Sequence, residues 1–541
     1  MKISLRTSLD KFFTGLSGFS IVLLTAALLI VLVPMLLKGG SAVFFKGTVE
    51  FRKMQADIFN RGDDAALKNE KERTRRAREF IYDSIETFKN GIDPAALSEK
   101  VRQINRQFGE QLKDKGIEGE DYQSLRSIAR ELRDKLIEAF ESNDRNLINE
   151  NIKFVFSYKQ DNRLANSGMK EMFAIAEKFS RAIENVDFQK RDRYAQSLGE
   201  IEEIVTQLLG PKPGEPVPVL AMARYGATRW EQAEKLKEQL LYPVRWVGGK
   251  PGEPLVAEKY SRQEEFKGTA IEPLFGYVDK ELSNMLEPRR TFYWQFFIDD
   301  SINSHYFGGV GPEILGTLLL TIVAMIFVIP LGVISAAYLV ECSTENLAVK
   351  IIRMCINTLA GVPSIVFGLF GLAFFVLYLL PLFGAPSKGN ILAASLTLAV
   401  LTLPLMIRAS EEALRAVPHT YKEASLALGA GHFRTFIKVT LPAAMPGILT
   451  GIILSLGRVA GETAPILFTG TAAVASIPKS LFDATRTLSY GSYDMAVGDR
   501  IAAMVPHQQY GMVVTLILLV LILNTAAILL RWKISKKLRG H

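Results

Sequence analysis

The sequence predicts an all-α membrane protein with six transmembrane helices, in which an N-terminal anchor and a five-helix core flank a large α-rich segment. The chain has 541 residues and a hydrophobic content of 48%. Its apolar residues concentrate near the N-terminus and after residue 310, whereas the stretch between them is charged. This segregation indicates that the chain meets two solvents, lipid and water, which a single soluble domain rarely does.

The first apolar stretch, Leu16–Leu37, is long enough to cross a bilayer core, which takes about 20 mostly apolar residues. The basic residues Lys2, Arg6 and Lys11 precede it. A signal peptide is the alternative interpretation, but the apolar run is long for one and lacks a small-residue cleavage site. We therefore expect residues 1–15 to form a cytoplasmic N-terminus and residues 16–37 a retained anchor helix.

Five further stretches have the length and composition of membrane spans. They lie near Gly311–Val340, Ile356–Phe383, Asn390–Ile407, Ala443–Gly470 and Gly511–Trp532. Only a short turn rich in Gly and Pro, residues 384–389, separates the third span from the fourth. These five spans define a core domain over residues 311–532.

Lys and Arg in the short loops predict the orientation of the spans, since both are enriched on the cytoplasmic side. One side of the core carries most of them: Lys350, Arg353, Arg408, Arg415, Lys422, Arg434, Lys438 and the basic residues of the tail 533–541. The opposite side carries Lys388, Lys479, Arg486 and Arg500. We therefore expect both termini in the cytoplasm and residues 38–310 on the periplasmic side, because long loops are translocated largely regardless of charge.

The predicted periplasmic segment has helical periodicity over residues 50–208, where apolar residues recur three or four apart among charged ones. Proline and glycine cluster at Gly210–Pro218 and Gly248–Pro254, which indicates loops and a small β part near 217–275. Its charged helices fit either a coiled-coil-like arm or an ordinary bundle with solvated faces, and we favour the bundle. An aromatic group fits an interfacial helix or the domain core: Phe292, Tyr293, Trp294, Phe296 and Phe297.

Composition also excludes several classes of function. The net charge of +8 comes without a nucleic-acid-binding motif, and basic flanks of membrane spans account for it, so lipid rather than nucleic acid is the expected contact. The five histidines lack metal-ligand spacing, and we expect no metal or cofactor. The two cysteines, Cys342 and Cys355, are interpreted as packing residues without a disulfide. No catalytic constellation is evident, and the phosphate-binding motif G-x-x-x-x-G-K-[ST] is absent, so we do not expect the chain to be an enzyme or to hydrolyse ATP.

The segment Glu411–Pro442 has the most informative spacing in the chain, EEALRAVPHTYKEASLALGAGHFRTFIKVTLP. Two short helices are expected to meet at a turn over residues 429–431, with small residues at 424, 425 and 427 admitting a partner's backbone. Apolar knobs are expected from Leu426, Leu428, Phe433 and Phe436, and Pro442 is expected where the next membrane helix begins. A loop of this kind suits a partner's groove, whereas the plainer alternative is an amphipathic connector.

This spacing resembles the EAA loop of ABC importer permeases, with pattern EAA, three residues, Gly, nine residues, Ile-x-Leu-Pro. The chain departs from it by Ser425 and Val439, both conservative in size. The resemblance implies a type I ABC importer permease core, in which the loop 411–442 docks an ATPase subunit and transmits its closure. The residues that it implies in ATPase coupling are Glu423, Ala424, Ser425, Gly429, Leu441 and Pro442.

Three further runs narrow the resemblance: Phe307–Gly311 (FGGVG), Leu359–Gly368 (LAGVPSIVFG) and Gly457–Pro465 (GRVAGETAP). They are similar to the PstA family of phosphate permeases, and the last run favours PstA over its PstC partner. The resemblance implies a bacterial inner-membrane protein with a PstC-like permease partner, PstB-like ATPase subunits and a periplasmic phosphate-binding protein. The segment 38–310 is longer than the family's minimal form.

Charged residues inside the fifth span predict the substrate path. Arg458 lies about 23 Å into that span at 1.5 Å per residue, and intramembrane charges usually face a water-filled path. Glu462, four residues later, is expected on the same helix face. The Arg fork suits phosphate oxygens, and a carboxylate accepts a proton from a protonated oxyanion but repels sulfate. A structural ion pair is the alternative.

Thr463 and Arg408 complete the predicted path, although Arg408, at the end of the fourth span, equally fits a side chain that snorkels to the interface. Four glycines of the fifth span form two small-xxx-small pairs that permit close helix crossing: Gly447, Gly451, Gly457 and Gly461. The sequence thus predicts a phosphate permease subunit. A permease for another oxyanion, such as sulfate or molybdate, and a membrane sensor with a periplasmic domain remain as alternatives.

Overall fold

The computed structural model describes residues 3–165, 167–183, 186–187, 190–213, 228–248, 256–302, 307–343, 346–471, 477–497 and 505–539. The chain forms two compact units. One, the membrane unit, comprises Met1–Phe45 and Thr291–His541, and the other, the insert unit, comprises Lys46–Arg290. His305, Arg500 and most of the two Pro/Gly-rich stretches lie outside the described residues.

The elements follow one another along the chain. They are α1 (Ile3–Gly40), β1 (Phe44–Gly47), α2 (Val49–Phe59), α3 (Asp64–Ile92), α4 (Pro94–Asp114), α5 (Glu120–Glu141), α6 (Arg145–Ser157), α7 (Asn162–Ala165), α8 (Met169–Ala182), α9 (Arg191–Leu209), α10 (Trp230–Leu241), β2 (Val244–Val247), β3 (Val256–Lys259), α11 (Arg262–Glu265), α12 (Glu272–Leu286), β4 (Arg289–Phe292), β5 (Ser301–Ile302) and β6 (Phe307–Gly308). The remainder are α13 (Gly311–Ala337), α14 (Leu347–Leu359), α15 (Ser364–Gly371), α16 (Leu380–Leu382), α17 (Ile391–Arg415), α18 (His419–Ala427), α19 (His432–Thr435), α20 (Leu441–Gly461), α21 (Ala464–Thr469), α22 (Leu488–Val497) and α23 (Pro506–Arg539).

Six helical segments of the described chain are long and apolar enough to cross a membrane, which confirms the predicted class. They are Phe12–Gly40, Gly311–Cys342, Ser364–Leu382, Ile391–Arg415, His432–Gly461 and Pro506–Lys536. The third differs from the prediction, because α14 ends at Leu359 and a new helix begins only at Ser364. Pro363 explains the interruption, since it lacks an N–H donor and disfavours helical geometry in the residue before it.

The core of the membrane unit is built on α17, which packs between α13 and α20. Leu320, Leu398, Met406 and Ile448 are among the side chains buried there. In α1, by contrast, nearly all the described side chains are exposed, and contact with α23 occurs near Lys38, whose ammonium lies 5.0 Å from the centre of the Tyr510 ring. Among the aromatic residues before α13, Phe296 is buried but Trp294 is exposed.

Close helix crossing, predicted from four glycines, occurs at two of them. A Cβ atom added at Gly447 or Gly451 would lie 2.6 Å from the Cβ of Ala413 or Ala409 of α17. At Gly457 the nearest atoms would be 3.9 Å away, and at Gly461 nothing lies within 4 Å. The first small-xxx-small pair therefore sets the α17–α20 crossing, and the second does not contact a helix closely within this chain.

Within its described residues, the insert unit is a helical bundle with two hydrophobic cores, which confirms the bundle over the coiled-coil-like arm. One core includes Phe88 of α3, Ile201 of α9 and Val278 of α12. The other joins α4, α5, α6 and α8 through buried residues such as Phe108, Leu132, Ile152 and Phe179. Strands β2 and β3 form an antiparallel hairpin inside the region predicted to contain β structure.

A buried arginine joins the first and last helices of the insert unit. The Arg78 guanidinium donates to the carbonyl of Met285 at 2.7 Å, to that of Leu209 at 2.9 Å and to the Glu50 carboxylate at 2.9 Å. Nearby, Arg52 donates to Glu70 at 2.7 Å and to the Glu287 carbonyl at 2.9 Å. Because a buried charge is costly unless paired, this network fixes how α2, α3 and α12 meet.

Cys342 and Cys355 are free thiols, as expected, but both are exposed. The interpretation of the two cysteines as packing residues is therefore wrong. Helix α14, which carries Cys355, buries one residue, Val349, so its other side chains have little protein to pack against in this chain.

Candidate functional site

The segment after α17 forms two short helices joined by a tight turn, as its spacing predicts. Helix α18 ends at Ala427, and Gly429 adopts a φ of 85°, in the left-handed region that favours glycine. The chain reverses there, and α19 begins at His432. The Gly429 amide donates to the Leu426 carbonyl at 2.9 Å, which closes the last turn of α18.

Polar contacts hold this loop to the rest of the membrane unit. The hydroxyls of Ser425 and Thr435 lie 2.9 Å apart and link α18 to α19. Lys422 of α18 forms an ion pair with Glu341, at the π-helical end of the second span. Helix α18 is therefore tied both to α19 and to the end of the second span.

The outer surface of the loop carries exposed apolar side chains that have no cover within the described chain. Leu428 is 89% exposed and Phe433 is 79% exposed, and α18 buries none of its residues. The predicted knob Phe436 is different, because it is half-buried and packs against the core around α17. Exposed apolar patches of this kind mark surfaces that bind another protein.

Pro442 lies inside a continuous helical segment rather than at its beginning. Helix α19 runs through π-helical residues 436–440 directly into α20, so the span begins at His432. Pro442 is the second residue of α20, as predicted, although the helical segment that contains α20 begins earlier, at His432. Proline removes one i to i−4 hydrogen bond, and the π-helical turn before it accommodates that loss.

The fifth span breaks at the predicted substrate residues. Helix α20 ends at Gly461, and Glu462 is extended, with φ −74° and ψ 137°. Pro465 lies in the first turn of α21. A helix continued through Pro465 would bring its ring against the Gly461 carbonyl, four residues earlier, so the chain leaves the helix here. The φ of Glu462 is still helical and only its ψ departs, so the break redirects the chain after Glu462 and leaves its Cβ on the helix face of Arg458.

Arg458, in α20, lies level with the middle of the neighbouring helix α17. Ser455 of α20 contacts Met406 of α17, and the two helices run antiparallel. Three residues further along α20, Arg458 is level with Leu403, which is about 12 residues, or about 18 Å, from either end of α17. Its side chain is exposed, and no hydrogen bond or ion pair to it occurs within the described residues. The alternative of a structural Arg458–Glu462 ion pair is therefore not seen.

Arg408 lies closer to the loop. Helix α17 continues to Arg415, so Arg408 does not end the fourth span as predicted. Its guanidinium donates a hydrogen bond to the side-chain oxygen of Asn357 in α14. Sequence reasoning missed Asn357, because the two residues are 51 positions apart and no spacing rule connects them.

Comparisons with known proteins place the chain in a family. Residues 328–540 match the family described as the binding-protein-dependent transport system inner membrane component. The phosphate transport system permease protein PstA 1 of Mycobacterium tuberculosis strain H37Rv is 39% identical over 178 residues, which is 33% of this chain and 56% of that protein. The probable phosphate transport system permease protein PstA of Methanocaldococcus jannaschii is 32% identical over 251 residues, which is 44% of this chain and 84% of the relative.

The chain belongs to the PstA family. It is a multi-pass protein of the inner membrane. The matched region spans 56% of the length of the mycobacterial relative, and the insert unit lies outside the family match at 328–540. That this PstA-family chain carries an enlarged periplasmic domain stays a prediction. A solved chain of the MetNI methionine ABC transporter, in an inward-facing conformation, is 21% identical and covers 42% of this chain and 94% of its own, with a TM-score of 0.32.

Proposed function

We propose that this chain is the permease subunit of an ATP-driven importer of inorganic phosphate and that it works by alternating access. Membership of the PstA family supports a permease over the membrane sensor. The observation that supports phosphate as the substrate is the position of Arg458. This arginine of α20 is exposed, has no partner among the described residues, and lies level with the middle of α17, three residues before α20 ends. An unpaired charge at that depth costs about 2.5–3.5 kcal/mol on insertion scales, which favours a functional role on a hydrated path.

The four residues of the proposed path, Arg458, Glu462, Thr463 and Arg408, would contact the anion one after another. Arg458 presents a planar fork of donors to phosphate oxygens. The Glu462 carboxylate accepts a hydrogen bond from a protonated oxyanion, and the Thr463 hydroxyl supplies another hydrogen bond. Arg408, about 8 Å nearer the loop along α17, receives the anion on its way to the cytoplasm. No step makes or breaks a covalent bond, and the chain needs no cofactor.

The loop between α17 and α20 would couple this path to ATP hydrolysis on separate, PstB-like subunits. The exposed Leu428 and Phe433 fit an ATPase groove, and the fixed Ser425–Thr435 contact suits a rigid-body push. In this proposal Glu423, Ala424 and Gly429 shape the docking surface, whereas Leu441 and Pro442 join it to α20. A PstC-like permease would complete the path, and a periplasmic phosphate-binding protein would deliver the anion.

The path is tested by Arg458→Ala in the transporter assembled with its partner subunits. We expect uptake of labelled phosphate to fall more than about tenfold, as expected when a charge-assisted contact is lost, while the variant still assembles. Arg130→Ala, which removes an exposed arginine of α5 in the insert unit, serves as the matched control and should leave uptake unchanged. Normal uptake by Arg458→Ala would show that Arg458 does not line the path.

The substrate is tested separately by competition. Unlabelled sulfate or molybdate should not reduce the uptake of labelled phosphate, because the Glu462 carboxylate repels an oxyanion that carries no proton. In Glu462→Gln this discrimination should weaken. Strong competition by sulfate in the unsubstituted transporter would favour the alternative of a permease for another oxyanion. Failure to co-purify with an ATPase would instead favour the sensor.

A further inference from the structure

Four large apolar side chains of the membrane unit are exposed near the points where the chain leaves this unit and returns to it. They are Phe44, Phe292, Trp294 and Ile298, each of which is more than half exposed, and together they are called the junction patch. The rings of Phe44 and Phe292 are stacked, with their centres 4.7 Å apart. An exposed apolar group of this size marks a surface that binds lipid or another molecule.

The residues next to the stacked rings in sequence are buried, so the exposure of the rings is set by the backbone. Phe45 and Tyr293 are both buried, and the Tyr293 amide donates to the Val43 carbonyl at 2.8 Å. Successive side chains of an extended strand point to opposite faces. Burial of Phe45 and Tyr293 therefore turns Phe44 and Phe292 outward.

The ends of three membrane spans meet beneath the junction patch. The Val310 amide, one residue before α13, donates to the Phe296 carbonyl at 2.7 Å. A Cβ atom added at Gly511, near the start of α23, would lie 2.9 Å from the Phe296 ring, and Val43 follows the end of α1 by three residues. The hydrocarbon core of a bilayer ends where apolar spans end, so the patch is level with the headgroup layer.

We infer that the junction patch lies in the lipid headgroup layer, where phospholipid covers it and holds the chain at a fixed depth. Continuity with the lipid-facing surface favours lipid over a protein partner, because α1 is exposed as far as Leu37, seven residues before Phe44. Aromatic rings are also enriched at this depth, since an indole combines an apolar body with a polar N–H group. The patch would thus anchor both chain segments that connect the membrane unit to the insert unit.

The inference is tested by the depth of Trp294 in the complete chain. Trp230→Phe, Trp246→Phe and Trp532→Phe leave Trp294 as the fluorophore, and the protein is reconstituted into phosphatidylcholine vesicles with lipids brominated at graded acyl positions. We expect the strongest quenching from the bromines nearest the headgroup, at about 15 Å from the bilayer centre, because the hydrocarbon core is about 30 Å thick. The matched control retains Trp246 instead, an exposed tryptophan of the insert unit, which should be quenched by aqueous iodide and not by brominated lipid.

A second measurement removes the stacked rings from the chain that retains Trp294. Phe44→Ala combined with Phe292→Ala should lose most of the quenching by shallow bromines and shift the Trp294 emission to longer wavelength, because less apolar surface holds the segment in the headgroup layer. Phe80→Ala, which removes an exposed ring of the insert unit, is the matched control and should change neither property.

Three results would overturn the inference. Quenching of Trp294 by iodide, present on both sides of the membrane, but not by brominated lipid would place the patch in water. Quenching by neither agent would show that protein covers it. Full quenching by shallow bromines after removal of both phenyl rings would show that the patch does not set the depth.

Discussion

At the scale of single residues, two glycines of the loop differ in backbone conformation although they have the same surroundings. Gly429 and Gly431 both have open space where a Cβ would stand. Gly429 has a φ of 85°, whereas Gly431 has an ordinary φ of −71°. The family pattern specifies the first glycine, and its conformation gives the physical reason.

Gly429→Ala should therefore strain the turn by about 1 kcal/mol, because L-residues disfavour the left-handed region. We expect weaker co-purification of the ATPase and slower phosphate uptake, both measured on the assembled transporter. Gly431→Ala is the matched control and should bind and transport normally. Equal effects of the two substitutions would show that the side-chain volume, and not the backbone conformation, matters in the turn.

The pKa of Glu72, in the insert unit, depends on contacts with residues three and four positions away. Hydrogen bonds from Arg75 and Arg76, both 3.0 Å long, lower the pKa of this carboxyl from 4.5 to about 2. Because the pKa is lower in the folded state, the stabilising effect is present above pH 4.5 and is lost as the pH falls through about 2.

A carbon NMR titration of the insert unit should thus give a midpoint near 2 for Glu72, and Arg75→Ala should move it towards 4.5. Arg106→Ala, which removes an ion-pair partner of Glu99 in α4, should leave the Glu72 midpoint in place. A midpoint near 4.5 in the unsubstituted unit would contradict the prediction.

At the scale of elements, α20 combines a close crossing with a break. Gly447 and Gly451 bring it against Ala413 and Ala409 of α17, and beyond Gly461 the chain leaves the helix. The crossing holds α20 against α17 in the half nearest the loop, and the break lies in the other half. The same span therefore has one part fixed by packing and another part shaped by Pro465.

Gly451→Val should disrupt the crossing, because its Cβ would lie 2.6 Å from the Cβ of Ala409. Overpacking of this kind costs about 1–3 kcal/mol, so we expect a lower melting temperature of the purified protein in detergent. Gly461→Val provides the contrast, since nothing lies within 4 Å of a Cβ at that position. If Gly461→Val destabilised the isolated chain as much as Gly451→Val, the crossing would not be the cause.

At the scale of the whole molecule, each unit has its own hydrophobic packing. In the membrane unit, the residue at which the chain leaves for the insert lies close to the residue at which it returns. The Tyr293 amide donates to the Val43 carbonyl at 2.8 Å, and the rings of Phe45 and Tyr293 are 6.5 Å apart, centre to centre. The polypeptide thus leaves the membrane unit at Phe45 and returns at Thr291 close to the same place. Insertion of a domain between such neighbouring ends leaves the packing of the host largely intact.

Deletion of residues 46–290, with a short Gly/Ser linker from Phe45 to Thr291, should therefore leave a membrane unit that inserts and co-purifies with the ATPase. The control is Phe45→Ala in the full chain, which removes a buried ring at the junction. Phosphate uptake by the deletion variant then reports the role of the insert unit, and a change in KM alone would point to the binding protein. Loss of the deletion variant from the membrane would contradict the independence of the two units.

The sequence by itself determined the class of the protein, its six spans, the loop and the family. Each of these depends on composition or on short-range spacing, which can be recognised along the chain. Examples are the length of the spans, the periodicity of the insert helices and the turn at Gly429. The packing role of Gly447 and Gly451 was also accessible, because helix crossing needs small residues four apart.

Only the tertiary structure decided what depends on distant residues or on where a helix ends. The composition of the fifth span predicted one membrane segment as far as Gly470, but Pro465 ends α20 and the chain leaves the helix after Glu462. The contacts of Arg408 with Asn357 and of Ser489 with Glu462 join residues 51 and 27 positions apart. No local pattern encodes such pairs, because three-dimensional packing, rather than spacing along the chain, brings them together.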